Sequence, residues 1–257
     1  MGSFSSMLET VTVLPVPRVD VSLIRRWFGD VKEFPDVDLL VQIVSTGAPV
    51  AVGGRGDLVA ALQYGNHSSV RPYSSEILAK IVEDVLLGRA FVFPRQAAAG
   101  IPGLRVSPMT VAVSPSKVRI CHDLSNVVCG HSVNDDTDTS AVPECKIGRV
   151  FRNVVWRILY LHGKFIANKQ SPPRILLAKM DTKNAFRQIH VDVNRAPTFG
   201  YVFEEFVIVD RCLQFGWTSL PALWGVGAAA VQHAHNNTTF QTQKSQKKAV
   251  QPQNTSA

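Results

Sequence analysis

The apolar residues of this chain follow two different periods, which alternate along its length. Two stretches have the i, i+3, i+4 spacing of an amphipathic helix. In the first, residues 74–88, Ser74 or Ser75 can cap the helix and Gly88 can end it. Its apolar face consists of Ile77, Ile81, Val85 and Leu86. In the second, residues 146–162, one face carries Ile147, Val150, Phe151, Val154, Val155 and Ile158. Both stretches are predicted to be helices that pack on a core.

Other apolar segments are short or alternate, as β-strands do. Residues 104–123 hold two β-rich runs around the turn signal at 114–116, which predicts a hairpin. An apolar run over 175–180 leads to Asp181, and residues 186–193 alternate as a further strand. Residues 199–203 and 206–213 flank Glu204 and Glu205 and predict a second hairpin.

Composition narrows the class of protein. With 46% hydrophobic and 18% charged residues, the 257-residue chain can build a core, so global disorder is excluded. Its longest nearly unbroken apolar run, residues 220–231, is too short to cross a bilayer, so no membrane partner is expected. The N-terminus has no secretory pattern, which predicts an intracellular protein with reduced cysteines and leaves cytoplasm and nucleus open. Gly2 and Ser6 fit a myristoylation pattern, but no polybasic segment follows.

Simple metal and phosphate motifs are missing. A cluster of cysteines and histidines suggests a zinc site, but its spacing contains no C-x-x-C pair. Ordinary thiols are therefore the preferred interpretation. The cluster consists of Cys121, His122, Cys129, His131 and Cys145. The glycines at 53–56 lack the G-K-[ST] ending of a phosphate-binding loop and are predicted to form a turn.

Positive charge is concentrated in one region. Between Lys146 and His190 there are ten Lys and Arg residues and a single acid, Asp181, within a chain whose net charge is +7. A field of this kind attracts polyanions, which favours nucleic acid as a partner. The predicted helix 146–162 and the residues after it supply the candidate phosphate contacts, Arg149, Arg152, Arg157 and Lys164. Trp156 and Tyr160 lie among them, although a solvated helix face explains the same pattern.

Three segments occur in a fixed order: KVRICHDLS (117–125), LLAKMDTKNAFRQIHVD (176–192) and LQFGWTSLPALW (213–224). Together they resemble the reverse transcriptases of eukaryotic retrotransposons, over residues 60–235. The resemblance implies an α+β fold made of partial fingers and palm, with an incomplete antiparallel palm sheet. It also implies a nucleotidyltransferase ancestry, in which a dNMP is added to a primer 3′-hydroxyl on an RNA or DNA template.

The resemblance assigns roles to individual residues. Lys117 and Arg119 would contact the triphosphate of the incoming dNTP, and Asp123 would be structural. Phe186 would lie under the sugar and exclude a ribose 2′-hydroxyl, which predicts a preference for dNTPs. Phe215 and Gly216 would support the nucleotide. Asp181 would be the catalytic carboxylate and would bind Mg²⁺ with the main-chain carbonyl of Thr182.

The chain departs from the family pattern after the third segment. The paired aspartates that supply the second metal-binding carboxylate are missing, and the last acid anywhere is Asp210. Asp192 is expected to lie too far from Asp181 to replace them, whereas Asp210 stays open as a substitute. The chain is therefore predicted to be a truncated polymerase fragment that is inactive alone and could require a missing segment. Two alternatives stay open: a noncatalytic nucleic-acid-binding remnant, and a decaying product that misfolds at its unpaired sheet edge.

The resulting division has four parts. Residues 1–60 form an unassigned N-terminal extension, 61–145 a fingers-like region, and 146–240 a partial palm with the basic helix. Residues 241–257 have no acid and almost no apolar side chain, so they are predicted to be a disordered polar tail.

Overall fold

A computed structural model describes residues 20–29, 34–115, 117–127, 130–144, 147–169 and 184–249. Of residues 141, 147–154 and 235–249 it describes the backbone alone. The helices are α1 (Val21–Phe28), α2 (Val37–Ser45), α3 (Leu58–Tyr64), α4 (Ser74–Leu86), α5 (Ile147–Ala167) and α6 (Leu220–Ala249). The strands are β1 (Ala90–Pro94), β2 (Met109–Ser114), β3 (Lys117–His122), β4 (Gly200–Phe203) and β5 (Phe206–Asp210). The mixture confirms an α+β fold.

Two antiparallel sheets organise the described residues. Strands β1, β5 and β4 form one sheet in that order, with Ala90 opposite Asp210 and Gly200 opposite Val209. Strands β2 and β3 form a separate hairpin in which Met109 lies opposite His122. Both predicted hairpins are therefore confirmed. In the turn between β4 and β5, Glu204 has a φ of +51°, a left-handed conformation of the kind that tight hairpin turns require.

Helix α4 begins at Ser74 and packs on the two hairpins, but its N-cap is Tyr73 and neither Ser74 nor Ser75 caps it, so the predicted serine cap is wrong. Its buried residues Ile77, Ile81 and Val85 share a core with Met109, Tyr201 and Ile208. Gly88 follows the helix with a φ of +67°. Leu86 is predicted on the packed face, but it is 46% exposed. It directly follows Val85, and successive residues point to different sides of a helix, so Val85 takes the buried position.

Two further cores complete the fold. The larger one lies on the other face of the three-stranded sheet and includes Phe199, Val207, Leu213 and Leu223. The smaller one joins α1 and α2 to α6, around Phe28, Phe34 and Val226. The segment 20–45 thus packs on the helix that follows the third sequence motif.

One predicted strand is absent from the structure. Residues 186–193 do not form a strand; Ala185–Gln188 is a 3₁₀ turn, and single bridges at His190 and Val191 follow. Arg187 forms ion pairs with acids of two other elements, and these fix the turn in place of sheet pairing. Within the predicted polar tail 241–257, the backbone of 241–249 continues α6 as a helix, and no Pro or Gly interrupts it there. Residues 250–257 lie outside the described residues.

Helix α5 has the predicted position, and its side chains are described from Val155 onward. Ile158 on the predicted core face is half-buried, as are Leu161 and Phe165. Val155, predicted on the same face, is 42% exposed, so that assignment is wrong for this residue. Among the described helices, none has the length and apolar character that a membrane crossing requires.

Candidate functional site

A cleft of about 560 Å³ opens between α4, the hairpin strand β3, the 3₁₀ turn 185–188 and the loop after β5. This volume lies within the range of small-molecule binding sites. Four of the residues that the sequence predicted to contact a nucleotide line it: Lys117, Arg119, Phe186 and Phe215. They are spread over the chain from residue 117 to residue 215, so the fold brings them together.

The first wall of the cleft is cationic. Lys117 and Arg119 are alternate residues of β3, so they lie on the same face of the strand, and both are exposed. Cys121 is the next residue on that face; it is half-buried, and it is a free thiol. Lys80 of α4, which is also half-buried, lines the same cleft.

Aromatic rings form the opposite part of the cleft. The Phe186 ring meets the Phe215 ring with centroids 4.9 Å apart and an interplanar angle of 77°. It also meets Trp224 of α6 at 5.9 Å and 90°. Phe186 is half-buried, and Phe215 is 51% exposed at the mouth. Edge-to-face contacts on two sides hold the Phe186 ring in one orientation.

The floor of the cleft is an ionic network centred on Arg187. Its guanidinium donates one hydrogen bond to Asp210 and another, of 2.9 Å, to Asp84 of α4. Asp210 is 1% exposed, and its carboxylate also accepts hydrogen bonds from the backbone N–H of Cys212 at 3.2 Å and from Gln214 at 3.5 Å. Although burial alone would lower the pKa of Arg187, the carboxylates of Asp210 and Asp84 raise it, so Arg187 keeps its charge.

Two buried polar atoms of cleft-lining residues have no hydrogen-bond partner within the described structure: His122 Nδ1 and Gln214 Oε1. Burial lowers the pKa of His122 to about 4, so its ring is neutral near pH 7. The ring lies against Tyr201, with centroids 4.6 Å apart. Burial also raises the pKa of the Tyr201 hydroxyl well above its usual value. The floor therefore contains uncharged polar groups beside the charged network.

Gly216, predicted as a nucleotide contact, does not line the cleft. It lies in the turn Gln214–Trp217 next to the cleft. It has a φ of +97°, and a Cβ at this position would lie 2.6 Å from the carbonyl oxygen of His122. Its own carbonyl accepts a hydrogen bond of 2.8 Å from Asn134. Glycine therefore lets the Gln214–Trp217 turn approach strand β3 closely.

Asp123 has the structural role predicted for it. Its carboxylate lies 3.0 Å from His67 Nε2 and accepts a hydrogen bond of 3.3 Å from Asn126. These contacts tie the end of the β2–β3 hairpin to the segment before α4. The prediction is confirmed.

The expected Mg²⁺ ligands Asp181 and Thr182 lie outside the described residues. Of the possible substitutes, Asp210 is already paired with Arg187, and Asp192 accepts a hydrogen bond of 2.9 Å from the Asn194 backbone and does not line the cleft. No set of three His, Cys, Asp or Glu residues within the described ranges is arranged to hold a metal ion. The described carboxylates therefore do not fit a two-metal centre, which needs several oxygen ligands around each ion.

The basic helix presents part of its predicted surface. Arg157 and Lys164 are exposed, and the neighbouring Trp156 and Tyr160 are 66% and 62% exposed. The side chains of Arg149 and Arg152 lie outside the described part of the chain. The nucleic-acid contacts stay a prediction on this surface.

The zinc cluster raised by the sequence is not assembled in the described region. Cys121 and Cys212 are free thiols, whereas Cys129 and Cys145 lie outside the described residues. Cys212 is buried, which raises the pKa of its thiol to about 12. His131 approaches Asp136 at 3.7 Å instead of a cysteine.

Sequence reasoning missed several residues of the cleft, among them Lys80, Asp84 and Arg187. The first two had a usable signal, because they are four residues apart on one face of α4. The ion pairs of Arg187 join positions 84 and 210, and no local pattern predicts contacts at such a separation. Comparison with family models, curated proteins and solved structures found no match to this chain.

Proposed function

We propose that this chain is reverse-transcriptase-like and that its cleft binds a deoxynucleoside triphosphate. One observation carries the proposal: Lys117, Arg119, Phe186 and Phe215 line a single cleft. The polymerase-like motifs assign all four to the nucleotide from the order of sequence segments alone. An unrelated fold has no reason to gather these particular residues around one space.

The chemistry of the cleft supports the same ligand. The guanidinium of Arg119 can donate two hydrogen bonds to phosphate oxygens, and Lys117 adds a point charge. The rings of Phe186 and Phe215 offer apolar surface for the sugar and base. A ligand with an anionic end and a planar or apolar end therefore fits the two walls.

The fold suits a fingers and palm arrangement of partial extent. The β2–β3 hairpin carries the cations, and the three-stranded antiparallel sheet carries the floor of the cleft. Because Asp210 is committed to Arg187 and the described residues contain no group arranged to hold a metal ion, we propose that the cleft binds a nucleotide and that this chain does not polymerise alone.

Binding of labelled dATP, measured by fluorescence anisotropy, tests the proposal. Lys117→Gln/Arg119→Gln is expected to weaken affinity by about tenfold or more, since charged hydrogen bonds contribute about 1.5–3 kcal/mol each. Arg55→Gln is the matched control, because Arg55 is exposed and does not line the cleft. Equal affinity in the double variant and the wild type would refute the cleft as the site.

Alkylation gives an independent readout without mutation. Cys121 lines the cleft, so saturating dATP should slow its reaction with iodoacetamide, as read by peptide mass spectrometry. Cys212 is the internal reference, because its buried thiol should react slowly with or without dATP. Unchanged alkylation of Cys121 at saturating dATP would contradict the proposal.

A noncatalytic nucleic-acid-binding role is the second candidate, and the exposed surface of α5 favours it. Trp156 and Tyr160 are solvent-exposed beside Arg157 and Lys164, and the helix contains no acid. Cations that neutralise phosphates make affinity fall with salt. Arg157→Gln/Lys164→Gln should reduce the slope of log K against log salt by about 1–2 for a DNA or RNA oligonucleotide. An unchanged slope would exclude these two residues as phosphate contacts.

A further inference from the structure

The cleft contains a third cation that the sequence motifs do not assign. Lys80 lies on α4, outside all three polymerase-like segments, yet it lines the same cleft as Lys117 and Arg119 of β3. Within the described part of the chain, the side chains of these three residues take part in no ion pair. Two separate elements thus direct three cations without an ion-pair partner to one space.

The local acids do not neutralise Lys80. Its natural helical partner is Asp84 at i+4, but Asp84 is bound to Arg187 at 2.9 Å and lies 3.8 Å from Arg89. Glu76 at i−4 accepts a hydrogen bond of 2.8 Å from Ser75 instead. Arg187 therefore does more than fix its own turn: by occupying Asp84 it leaves the Lys80 ammonium available to a ligand.

The burial of Lys80 fits this role. Its neighbours Ile77 and Ile81 are buried in the core, while Lys80 itself is half-buried. A lysine in this setting lays its carbon stem along apolar surface and keeps its ammonium in a polar space. Here that space is the cleft. Among the acids that line it, Glu83 is the one without an ion pair in the described structure, and it faces three cations.

We infer that Lys80, Lys117 and Arg119 together form a polyphosphate-binding rim, in which Lys80 recognises a phosphate beyond the first. Three cations on two elements match a ligand whose negative charge is extended, such as a triphosphate, better than a monophosphate. The identity of the polyphosphate as that of a dNTP rests on the proposed function. The anion site itself rests on the three cations alone.

Calorimetric titration with dATP, dAMP and inorganic tripolyphosphate separates the two ideas. Lys80→Gln should weaken dATP and tripolyphosphate by about tenfold, the loss of one charged contact, and change dAMP by less than about threefold. Lys80→Arg should retain most of the affinity because it keeps the charge. Glu83→Gln should tighten tripolyphosphate, since it removes the opposing carboxylate, and Arg55→Gln should change nothing.

Each outcome decides one or both proposals. If dATP binds equally well to the wild type and Lys80→Gln, the role of Lys80 is overturned while the nucleotide site stands. If tripolyphosphate binds in a Lys80-dependent way but dATP does not bind, the polyphosphate rim stands and the proposed function fails. If neither binds to the wild type, both are rejected. Far-UV circular dichroism of every variant shows whether it is folded. Lys80→Arg keeps the charge, and Glu83→Gln is expected to raise affinity, so a misfolded variant cannot imitate the whole set of results.

Discussion

The ring of Phe186 meets the ring of Phe215 edge to face, with centroids 4.9 Å apart, although the two residues belong to different sequence motifs. The first lies in the Asp181 segment, residues 176–192, and the second lies in the FGW turn. Trp224 closes on Phe186 from α6 at 5.9 Å. These contacts hold the turn 185–188 at the cleft. The orientation of Phe186 therefore depends on its own turn, on the FGW turn and on α6.

The fixed ring of Phe186 predicts discrimination between nucleotide sugars. If Phe186 lies under the sugar, a ribose 2′-hydroxyl meets the ring, and wild-type protein should bind dATP roughly 10–100-fold more tightly than ATP. Phe186→Val should bring the two dissociation constants to within about threefold, because the smaller side chain admits the hydroxyl. Competition of dATP and ATP against labelled dATP measures the ratio.

The control for this experiment is Phe93→Val, which removes the same atoms from a half-buried ring of β1 outside the cleft. That variant should keep the wild-type ratio. A ratio near one in the wild type, or one that Phe186→Val leaves unchanged, would remove Phe186 from the sugar site.

The ionic network beneath the cleft predicts a large effect on stability. Arg187→Met leaves the carboxylates of Asp84 and Asp210 buried without their shared cation, and it should lower the free energy of unfolding by about 3–5 kcal/mol. Arg187→Met/Asp210→Asn should be less destabilised than the sum of the single changes, because the second change removes an unpaired charge. Urea unfolding measures both.

The exposed pair of Arg25 and Asp38 is the matched control for this network. Their side chains are 53% and 66% exposed at a distance of 2.9 Å, so Arg25→Met should cost less than about 1 kcal/mol. A similarly small loss of unfolding free energy for Arg187→Met would show that the network contributes no more stability than a surface ion pair.

The elements with local signals could be predicted from the sequence, and the site that joins them could be predicted only in part. The apolar spacing of Ile77, Ile81 and Val85 is enough for α4, and alternation around two turns is enough for both hairpins. The cleft residues Lys117 and Phe186 were predicted from the order of the sequence motifs, which rests on a resemblance and not on a local pattern.

The failures share a physical cause, which is contact over long sequence separation. Residues 186–193 alternate like a strand, but Arg187 finds buried carboxylates at positions 84 and 210, and these pairs decide the local backbone. Lys80 gave no functional signal because its availability depends on Asp84 being occupied by a residue more than one hundred positions away. Local pattern contains neither fact.

The buried imidazole of His122 predicts that the protein loses stability in mild acid. Burial lowers its folded-state pKa to about 4, whereas the unfolded chain has the usual value of 6.5. Below pH 6.5 the unfolded state therefore binds the proton first, so stability falls as pH drops from 6.5 to about 4, by up to about 3 kcal/mol. His190, whose pKa is also lowered by burial, acts in the same direction.

Urea unfolding between pH 7.5 and 4.5 measures this dependence, and His122→Gln is the comparison. The variant removes the titrating ring, so its curve should be flatter than that of the wild type over the same window. Parallel curves would show that His122 is not the buried neutral group. Burial raises the pKa of Asp84, which acts in the opposite direction, but this contribution is common to the wild type and the variant.

Primer extension on an RNA template, with Mg²⁺ or Mn²⁺, should yield no incorporation from the purified chain or from Asp181→Ala. The carboxylate left open by the sequence, Asp210, is 1% exposed and engaged by Arg187, the Cys212 backbone and Gln214. Freeing it for a cation would cost the network that supports the cleft, and no acid follows it in the chain. Incorporation by the wild type that disappears in Asp181→Ala would mean that a second carboxylate does reach the primer terminus. In that case Asp210→Asn would decide which carboxylate acts. Loss of extension in this variant would point to Asp210, and unchanged extension would point to an acid elsewhere in the chain.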